Sequence, residues 1–298
     1  MKQLVFTGSG VAIVTPMHAD GSINFEAFET MLDVQIGSGT DAIVVCGTTG
    51  EAPTLNDEEH VELIRCAVKT VAGRVPVIAG TGSNDTHHAI IMSQEARQAG
   101  ADALLLVTPY YNKTSQTGLV RHFTAIADAA GLPVILYNVP SRTGVSIKPE
   151  TYAELARHPL IVAAKEASGN LSDAARTMAL CGGELTLYSG NDDQVLPLLA
   201  LGAKGVISVL ANVVPGVVHE LCQSYLDGDV VRSRELQLCW LPLMEALFCD
   251  VSPMPVKEAL NLLGIDAGPC RLPLTELGEE KKRRVKQALQ ACGLLCGE

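Results

Sequence analysis

The chain has 298 residues, of which 47% are hydrophobic, 18% are charged and 4% are aromatic. Its 22 Lys and Arg residues against 33 Asp and Glu residues give a net charge of −11, which repels phosphate backbones and argues against nucleic-acid binding. No apolar run approaches the roughly 20 residues that cross a bilayer, and Met1–Gly10 lacks the apolar core of a signal peptide. We therefore expect a cytoplasmic protein without membrane partners, whose nine cysteines stay reduced.

Eight short apolar runs recur along the chain up to Val209. Most are apolar at successive positions rather than at alternate ones, as strands buried on both faces require. The predicted strands are Val11–Pro16, Asp41–Gly47, Val75–Gly80, Ala103–Pro109, Pro133–Pro140, Ile161–Ser168, Leu185–Gly190 and Gly205–Val209.

Segments with helical spacing lie between these strands, and several end at a glycine suited to a left-handed helix stop. Asn56 or Asp57 is expected to cap the second of them. The predicted helices are Asn24–Ser38, Asp57–Ala72, Thr86–Ala99, Thr117–Ala130 and Asp192–Leu201. Strands in regular alternation with helices predict an α/β fold, a (β/α)8 TIM barrel, over residues 1–225.

An open doubly wound sheet has the same alternation, but it normally carries a glycine fingerprint after its first strand. Here Gly8-Ser9-Gly10 precedes the first predicted strand, and Gly80-Thr81-Gly82 lacks the third glycine. The barrel is therefore the preferred fold.

Beyond Val209 the strand pattern stops and helical spacing continues. Residues 226–298 are predicted to form a C-terminal helical extension that packs on the barrel or on another subunit. The helices predicted in this part of the chain are Pro215–Leu226, Val231–Phe248, Pro255–Leu263 and Thr275–Cys292.

Active sites of such barrels lie at the carboxyl ends of the strands. Hydroxyl groups, tyrosines and one lysine follow those ends, which suits polarising a carbonyl and moving protons. The seven histidines never stand at the spacing of metal ligands, so no metal is expected. The side chains concerned are Thr15, Thr48, Thr49, Tyr110, Tyr111, Tyr137, Lys165, Ser189 and Ser208.

Lys165 ends an apolar run that begins at Ile161 and should be buried on both faces. Burial disfavours an ammonium ion and lowers its pKa, which supplies the neutral amine that a Schiff base needs. The alternative is a structural lysine paired with Glu166, but adjacent strand residues point to opposite faces. Tyr137 ends the preceding strand, where it is either a proton relay or a plug of the core.

Four sequence motifs lie at or after these strand ends. They are Gly47-Thr-Thr-Gly-Glu-Ala-Pro-Thr-Leu55, Pro109-Tyr-Tyr-Asn112, Tyr137-Asn-Val-Pro-Ser-Arg-Thr-Gly144 and Lys165-Glu-Ala-Ser168. In this order and spacing they resemble the dihydrodipicolinate synthase / N-acetylneuraminate lyase family of pyruvate-dependent lyases. The resemblance extends over nearly the whole chain, from Val11 to Leu260.

The resemblance implies that Lys165 forms an imine with the ketone of pyruvate, without a metal or an organic cofactor. It also implies that Tyr137 relays protons above that imine. Thr48 and Thr49 would hold the pyruvate carboxylate, which agrees with the nest of hydroxyl and backbone N–H groups expected in this glycine-bounded segment.

The resemblance further implies that the Thr49 hydroxyl links Tyr137 to Tyr111. In the family this second tyrosine reaches into the site of the neighbouring subunit, so we expect a homodimer, usually paired into a homotetramer. Gly190 and Ile207 would line the pyruvate pocket through backbone groups.

Arg142 indicates the second substrate. A guanidinium at the mouth of the pocket can form a bidentate pair with the carboxylate of L-aspartate-4-semialdehyde. The resemblance therefore implies condensation to 4-hydroxy-tetrahydrodipicolinate, the first committed step of diaminopimelate and lysine biosynthesis. The alternatives are an N-acetylneuraminate or 2-keto-3-deoxy-sugar-acid aldolase that uses the same imine, and a non-catalytic barrel that binds a keto acid.

In regulated members of the family, lysine binds at the dimer interface. Asn84, Tyr110 and His60 retain that pattern here, but His88 stands where the ligand's ammonium group needs a carboxylate. Asp57 is expected to be committed to capping its own helix. We therefore expect inhibition by lysine to be weak or absent.

Overall fold

The computed structural model describes residue 2 and residues 4–296. Eight parallel strands close into a barrel in chain order, with the last strand paired to the first. The predicted (β/α)8 barrel is therefore confirmed. The strands are β1 Gly8–Ala12, β2 Ala42–Val45, β3 Val77–Gly80, β4 Ala103–Val107, β5 Val134–Asn138, β6 Ile161–Glu166, β7 Thr186–Ser189 and β8 Gly205–Ser208.

Helices follow the strands and continue beyond the barrel. Short 3-10 turns at Ala52–Thr54 and Asp192–Gln194 come between β2 or β7 and the next helix. The helices are α1 Phe25–Gly37, α2 Asp57–Val71, α3 Thr86–Gln98, α4 Gln116–Ala130, α5 Pro140–Thr143, α6 Pro149–Leu155, α7 Leu171–Cys181, α8 Val195–Ala200, α9 Pro215–Leu226, α10 Val230–Cys239, α11 Leu241–Ala246, α12 Met254–Leu262 and α13 Glu279–Ala291.

The first strand is the one that the sequence misplaced. The glycine pair at Gly8 and Gly10 was expected to precede β1, whereas both residues belong to it. A Cβ atom on Gly205 would lie 1.8 Å from the Gly8 carbonyl oxygen, so β1 and β8 approach too closely there for side chains. β1 therefore has glycines where the other strands have apolar residues, and this is why the apolar pattern did not predict its start.

The remaining differences are at helix ends. The helix predicted over Val231–Phe248 is two helices, α10 and α11, because Pro242 supplies no backbone N–H and cannot continue the first. The helix predicted from Thr275 begins only at Glu279, after Gly278 as its cap. Three helices, α5, α6 and α7, were not predicted.

Two apolar layers make up the core. One fills the barrel, where the rings of Phe6 and Tyr188 stack with centroids 4.2 Å apart. The other lies between the strands and the surrounding helices. Phe6 precedes β1, and the Tyr188 hydroxyl donates a hydrogen bond to its carbonyl at 2.6 Å, so this stack ties β7 to the segment before β1.

Helix α9 contacts β1 and β8 and is the eighth helix of the barrel. It ends at Leu226, next to the predicted domain boundary, and the division into residues 1–225 and 226–298 stays a prediction. The ends of those two ranges include Met1, Gln3, Gly297 and Glu298, which lie outside the described residues. Within the described part of the chain, no helix is both long and apolar enough to span a bilayer.

Candidate active site

Lys165 and Tyr137 lie side by side at the carboxyl end of the barrel. They are register partners on β6 and β5, and the lysine Nζ lies 4.5 Å from the centroid of the tyrosine ring. Both side chains are buried, with exposed fractions of 5% and 7%. The strand pattern thus brings together the two groups that were predicted to carry the imine and its proton relay.

Burial lowers the pKa of Lys165 to about 8, the carboxylate of Asp192 opposes that shift, and the guanidinium of Arg142 adds to it. An ammonium ion loses its hydration in the barrel, whereas a neutral amine loses little. Near neutral pH a larger fraction of Lys165 than of an ordinary lysine is therefore a free amine, which is the form that attacks a ketone.

Asp192 is the functional carboxylate that the sequence analysis missed. It is buried, and it accepts hydrogen bonds from the Ser208 hydroxyl at 2.5 Å and from the backbone N–H groups of Val209 and Leu210 at 3.0 and 2.9 Å. The signal was available, because Asp192 comes only three positions after the end of β7.

Glu166 is not the partner of Lys165, as the alternation of strand side chains predicted. Its carboxylate accepts hydrogen bonds from the Ser168 backbone at 2.7 Å, from the Tyr152 hydroxyl at 3.2 Å and from the Asn138 amide. These partners lie on the other face of β6. The ion pair with Glu166 that a purely structural role for Lys165 would require is therefore not formed.

Thr48 and Thr49 lie in the tight loop after β2. Thr48 hydrogen-bonds the phenol of Tyr137, while burial raises the pKa of that phenol and keeps it protonated as a donor. The predicted link from Tyr137 through the Thr49 hydroxyl to Tyr111 stays a prediction. The Thr15 hydroxyl donates a hydrogen bond to the Gly50 carbonyl at 2.7 Å, which ties this loop to the segment after β1.

Gly190 and Ile207 complete the surroundings of the lysine. A Cβ atom on Gly190 would lie 3.1 Å from Lys165 Cε and 2.7 Å from the Ala167 Cβ, so a larger residue would displace the lysine stem. Ile207 is fully buried on β8 among the side chains that fill the barrel. Their predicted backbone contacts with pyruvate stay predictions.

Arg142 lies on α5, a helix of four residues that directly follows β5. The Thr143 hydroxyl, which accepts a hydrogen bond from Thr108 at 3.0 Å, anchors this turn to the end of β4. Arg142 is exposed at the mouth, and its charge still lowers the pKa of Lys165 and of Tyr137. It therefore lies within electrostatic reach of the reacting groups.

A cleft of about 400 Å³ opens beside these residues. Thr48, Tyr137 and Arg142 line it together with His60, His88 and Tyr110, three of the four residues predicted for an effector site. The fourth, Asn84, accepts a hydrogen bond from the Asn112 amide through its backbone carbonyl at 2.9 Å. The structure thus places the candidate effector residues next to the candidate active site.

Asp57 does not cap α2 as expected. The cap is Asn56, which shares a reciprocal pair of hydrogen bonds with Glu59. Because Asn56 takes the capping role by accepting from the Glu59 N–H, the Asp57 carboxylate is left for His88, whose Nε2 lies 3.0 Å away. A carboxylate is therefore present in this cleft, and it is paired with the imidazole.

Tyr111 lies in the loop after β4 and projects from the surface of the chain. Its side chain is 91% exposed and its backbone has a φ of 66°, a left-handed conformation that is rare for a tyrosine. In the described part of the chain, this ring is therefore left largely open to solvent. Within residue 2 and residues 4–296, no group of three or more His, Cys, Asp or Glu side chains is arranged to hold a metal ion.

Residues 5–292 match the Dihydrodipicolinate synthetase family. The chain is 52% identical to the 4-hydroxy-tetrahydrodipicolinate synthase of Thermoanaerobacter sp. (strain X514), over 98% of each chain. It superposes with a TM-score of 0.95 on the chloride-inhibited dihydrodipicolinate synthase of Acinetobacter baumannii complexed with pyruvate, at 43% identity over 97% of this chain and 99% of that one. The DHDPS of Cyanidioschyzon merolae with lysine bound gives the same TM-score at 41% identity, over 98% of this chain and 100% of that one. The chain belongs to the dihydrodipicolinate synthetase family.

Proposed function

We propose that the chain is a class I lyase that condenses pyruvate with L-aspartate-4-semialdehyde to 4-hydroxy-tetrahydrodipicolinate. The observation that carries this proposal is the buried amine of Lys165 beside the phenol of Tyr137 at the carboxyl end of the barrel. Relatives that bear the name of this synthase, and a solved relative that holds pyruvate, support the choice of reaction and substrate.

The reaction begins when the neutral amine of Lys165 attacks the ketone of pyruvate. A protonated phenol at Tyr137 gives a proton to the carbinolamine oxygen, water leaves, and an imine forms. Loss of a methyl proton then gives the enamine, with the imine nitrogen as the electron sink. No metal or organic cofactor enters this sequence.

The enamine carbon attacks the aldehyde of the second substrate, whose carboxylate pairs with Arg142. The amine of that substrate then displaces Lys165 by transimination, which closes the ring and returns the lysine to its free form. The hydroxyls of Thr48 and Thr49 hold the pyruvate carboxylate throughout. The same imine with a sugar aldehyde would give a sugar-acid aldolase, but neither the relatives nor Arg142 favours that substrate.

We further propose a cytoplasmic homodimer in which Tyr111 enters the site of the partner subunit, with dimers pairing into a tetramer. The exposed ring and the left-handed backbone of this tyrosine support a contact outside its own chain. Its proposed role is to extend the proton relay that begins at Tyr137.

Borohydride reduction in the presence of pyruvate tests the imine directly. We expect peptide mass analysis to find the reduced pyruvate adduct on Lys165, and no adduct when pyruvate is left out or when Lys165→Ala replaces the wild type. A coupled assay should then show turnover with aspartate semialdehyde and none with sugar aldehydes. An unmodified Lys165 peptide would contradict the mechanism, and turnover confined to sugar aldehydes would contradict the choice of substrate.

A further inference from the structure

A buried ion pair connects the C-terminal helices with the loop after β2. Lys257, on α12, donates a hydrogen bond from Nζ to the Glu51 carboxylate at 2.6 Å. The lysine side chain is 2% exposed and the glutamate side chain is not exposed at all. The two residues are 206 positions apart in the chain, so this contact exists only in the folded barrel with its extension in place.

Both oxygens of the Glu51 carboxylate are used by the C-terminal extension. The second oxygen accepts a hydrogen bond from the backbone N–H of Arg271 at 2.9 Å, and Lys257 also donates to the Pro269 carbonyl at 2.7 Å. The Arg271 guanidinium in turn forms a bidentate pair with Glu59 on α2 at 2.6 and 2.7 Å. The extension thus binds both the start of α2, through Glu59, and the loop that precedes it, through Glu51.

Glu51 lies two positions after Thr49, the second of the two threonines that are proposed to hold the pyruvate carboxylate. Its φ of 57° is left-handed, as is the φ of 55° at Cys46 at the other end of the same loop. Non-glycine residues hold such conformations only where the surrounding structure fixes them, and such strain is concentrated at functional sites. Here the side chain of Glu51 is held by Lys257 and by the Arg271 backbone, while its backbone N–H donates to the Thr48 carbonyl at 3.1 Å.

A buried ion pair is a poor source of stability, because the cost of removing two charges from water offsets much of their attraction. What the pair supplies instead is one fixed arrangement of the Glu51 and Lys257 side chains. We infer that Lys257 is a positioning residue, which acts through Glu51 to hold Thr48 and Thr49 where the substrate carboxylate binds. This inference rests on the proposed function of those threonines.

The first test compares two lysine-to-methionine variants of the C-terminal extension. Lys257→Met should raise the KM for pyruvate by about tenfold or more, since a binding group misplaced by about an ångström can cost as much as about 100-fold. Its KM for the aldehyde should change far less, because Arg142 is held by α5. The control, Lys281→Met, breaks a 2.7 Å ion pair with Asp250 in the same extension and should leave both constants unchanged.

A second variant separates positioning from folding. Glu51→Gln combined with Lys257→Met removes both charges, so it should recover the thermal midpoint that Lys257→Met loses while the KM for pyruvate stays raised. A wild-type KM in either variant would overturn the inference and leave the pair a purely structural role. Wild-type protein that forms no borohydride-trapped adduct with pyruvate would instead contradict the proposed function.

Discussion

At the scale of single residues, the chemistry of Lys165 is set by three neighbours and by the loss of water. Burial lowers the pKa of the amine, Arg142 lowers it further and Asp192 raises it. Tyr137 covers the amine with its ring, and its own pKa is raised by burial. A neutral amine and a protonated phenol are thus held together, as a nucleophile and an acid should be.

This arrangement predicts the pH dependence of imine formation. The pKa of Lys165 in the folded protein is about 8, so the neutral amine and the rate of borohydride trapping should rise as the pH increases and level off above about 8. Asp192→Asn removes the charge that favours the ammonium form, so its inflection should move to lower pH. A wild-type inflection near 10.5, the value of an ordinary lysine, would contradict the effect of burial.

At the scale of elements, the start of α2 and the start of α3 determine what the cleft can bind. Asp57 and His88 both line the cleft, and the imidazole Nε2 lies 3.0 Å from the carboxylate. The ammonium group of a lysine ligand would have to displace His88 to reach Asp57. In this chain the Asp57 carboxylate is already engaged by that imidazole.

Feedback by lysine is therefore predicted to be weak or absent in the wild type. In an initial-rate titration at subsaturating pyruvate, half-inhibition should lie above about 1 mM, an affinity of about 4 kcal/mol. His88→Glu supplies a second carboxylate and should lower the half-inhibiting concentration about tenfold or more, while His87→Glu, exposed on the same helix, should not. Half-inhibition of the wild type below about 1 mM would show that Asp57 already serves the ligand.

At the scale of the whole molecule, a single chain holds most of the proposed site and leaves one residue outside it. Lys165, Tyr137 and Thr48 lie together at the mouth of one barrel, whereas Tyr111 projects 91% exposed from the loop after β4. An aromatic ring so exposed, on a left-handed backbone, is suited to insertion into a neighbour. This position is the basis of the proposed dimer.

Mixing experiments test the crossing of Tyr111. Tyr111→Phe and Lys165→Ala chains should each be impaired alone and regain activity when their subunits exchange, because a hybrid dimer then has one site with both residues intact. Tyr137→Phe mixed with Lys165→Ala is the control and should stay inactive, since those two residues share one barrel. Failure of the first mixture, with exchange proven by mass, would place the action of Tyr111 within its own chain.

The sequence by itself determined the barrel and the centre of the site. Strands buried on both faces are apolar at successive positions, so seven of the eight strands lie within predicted runs. Lys165 and Tyr137 were predicted because a polar residue at the end of such a run must point either into the barrel mouth or into the helices. The start of β1 was placed wrongly because the close approach of its backbone to β8 requires glycine rather than apolar residues.

Only the tertiary structure decided which distant side chains meet. The local capping box of Asn56 and Glu59 left the Asp57 carboxylate unused on its own helix, but only the fold brought His88, on another helix, to it. The pair between Lys257 and Glu51 joins segments 206 positions apart. No local pattern encodes such contacts, because their geometry is set by the packing of whole elements around a closed barrel.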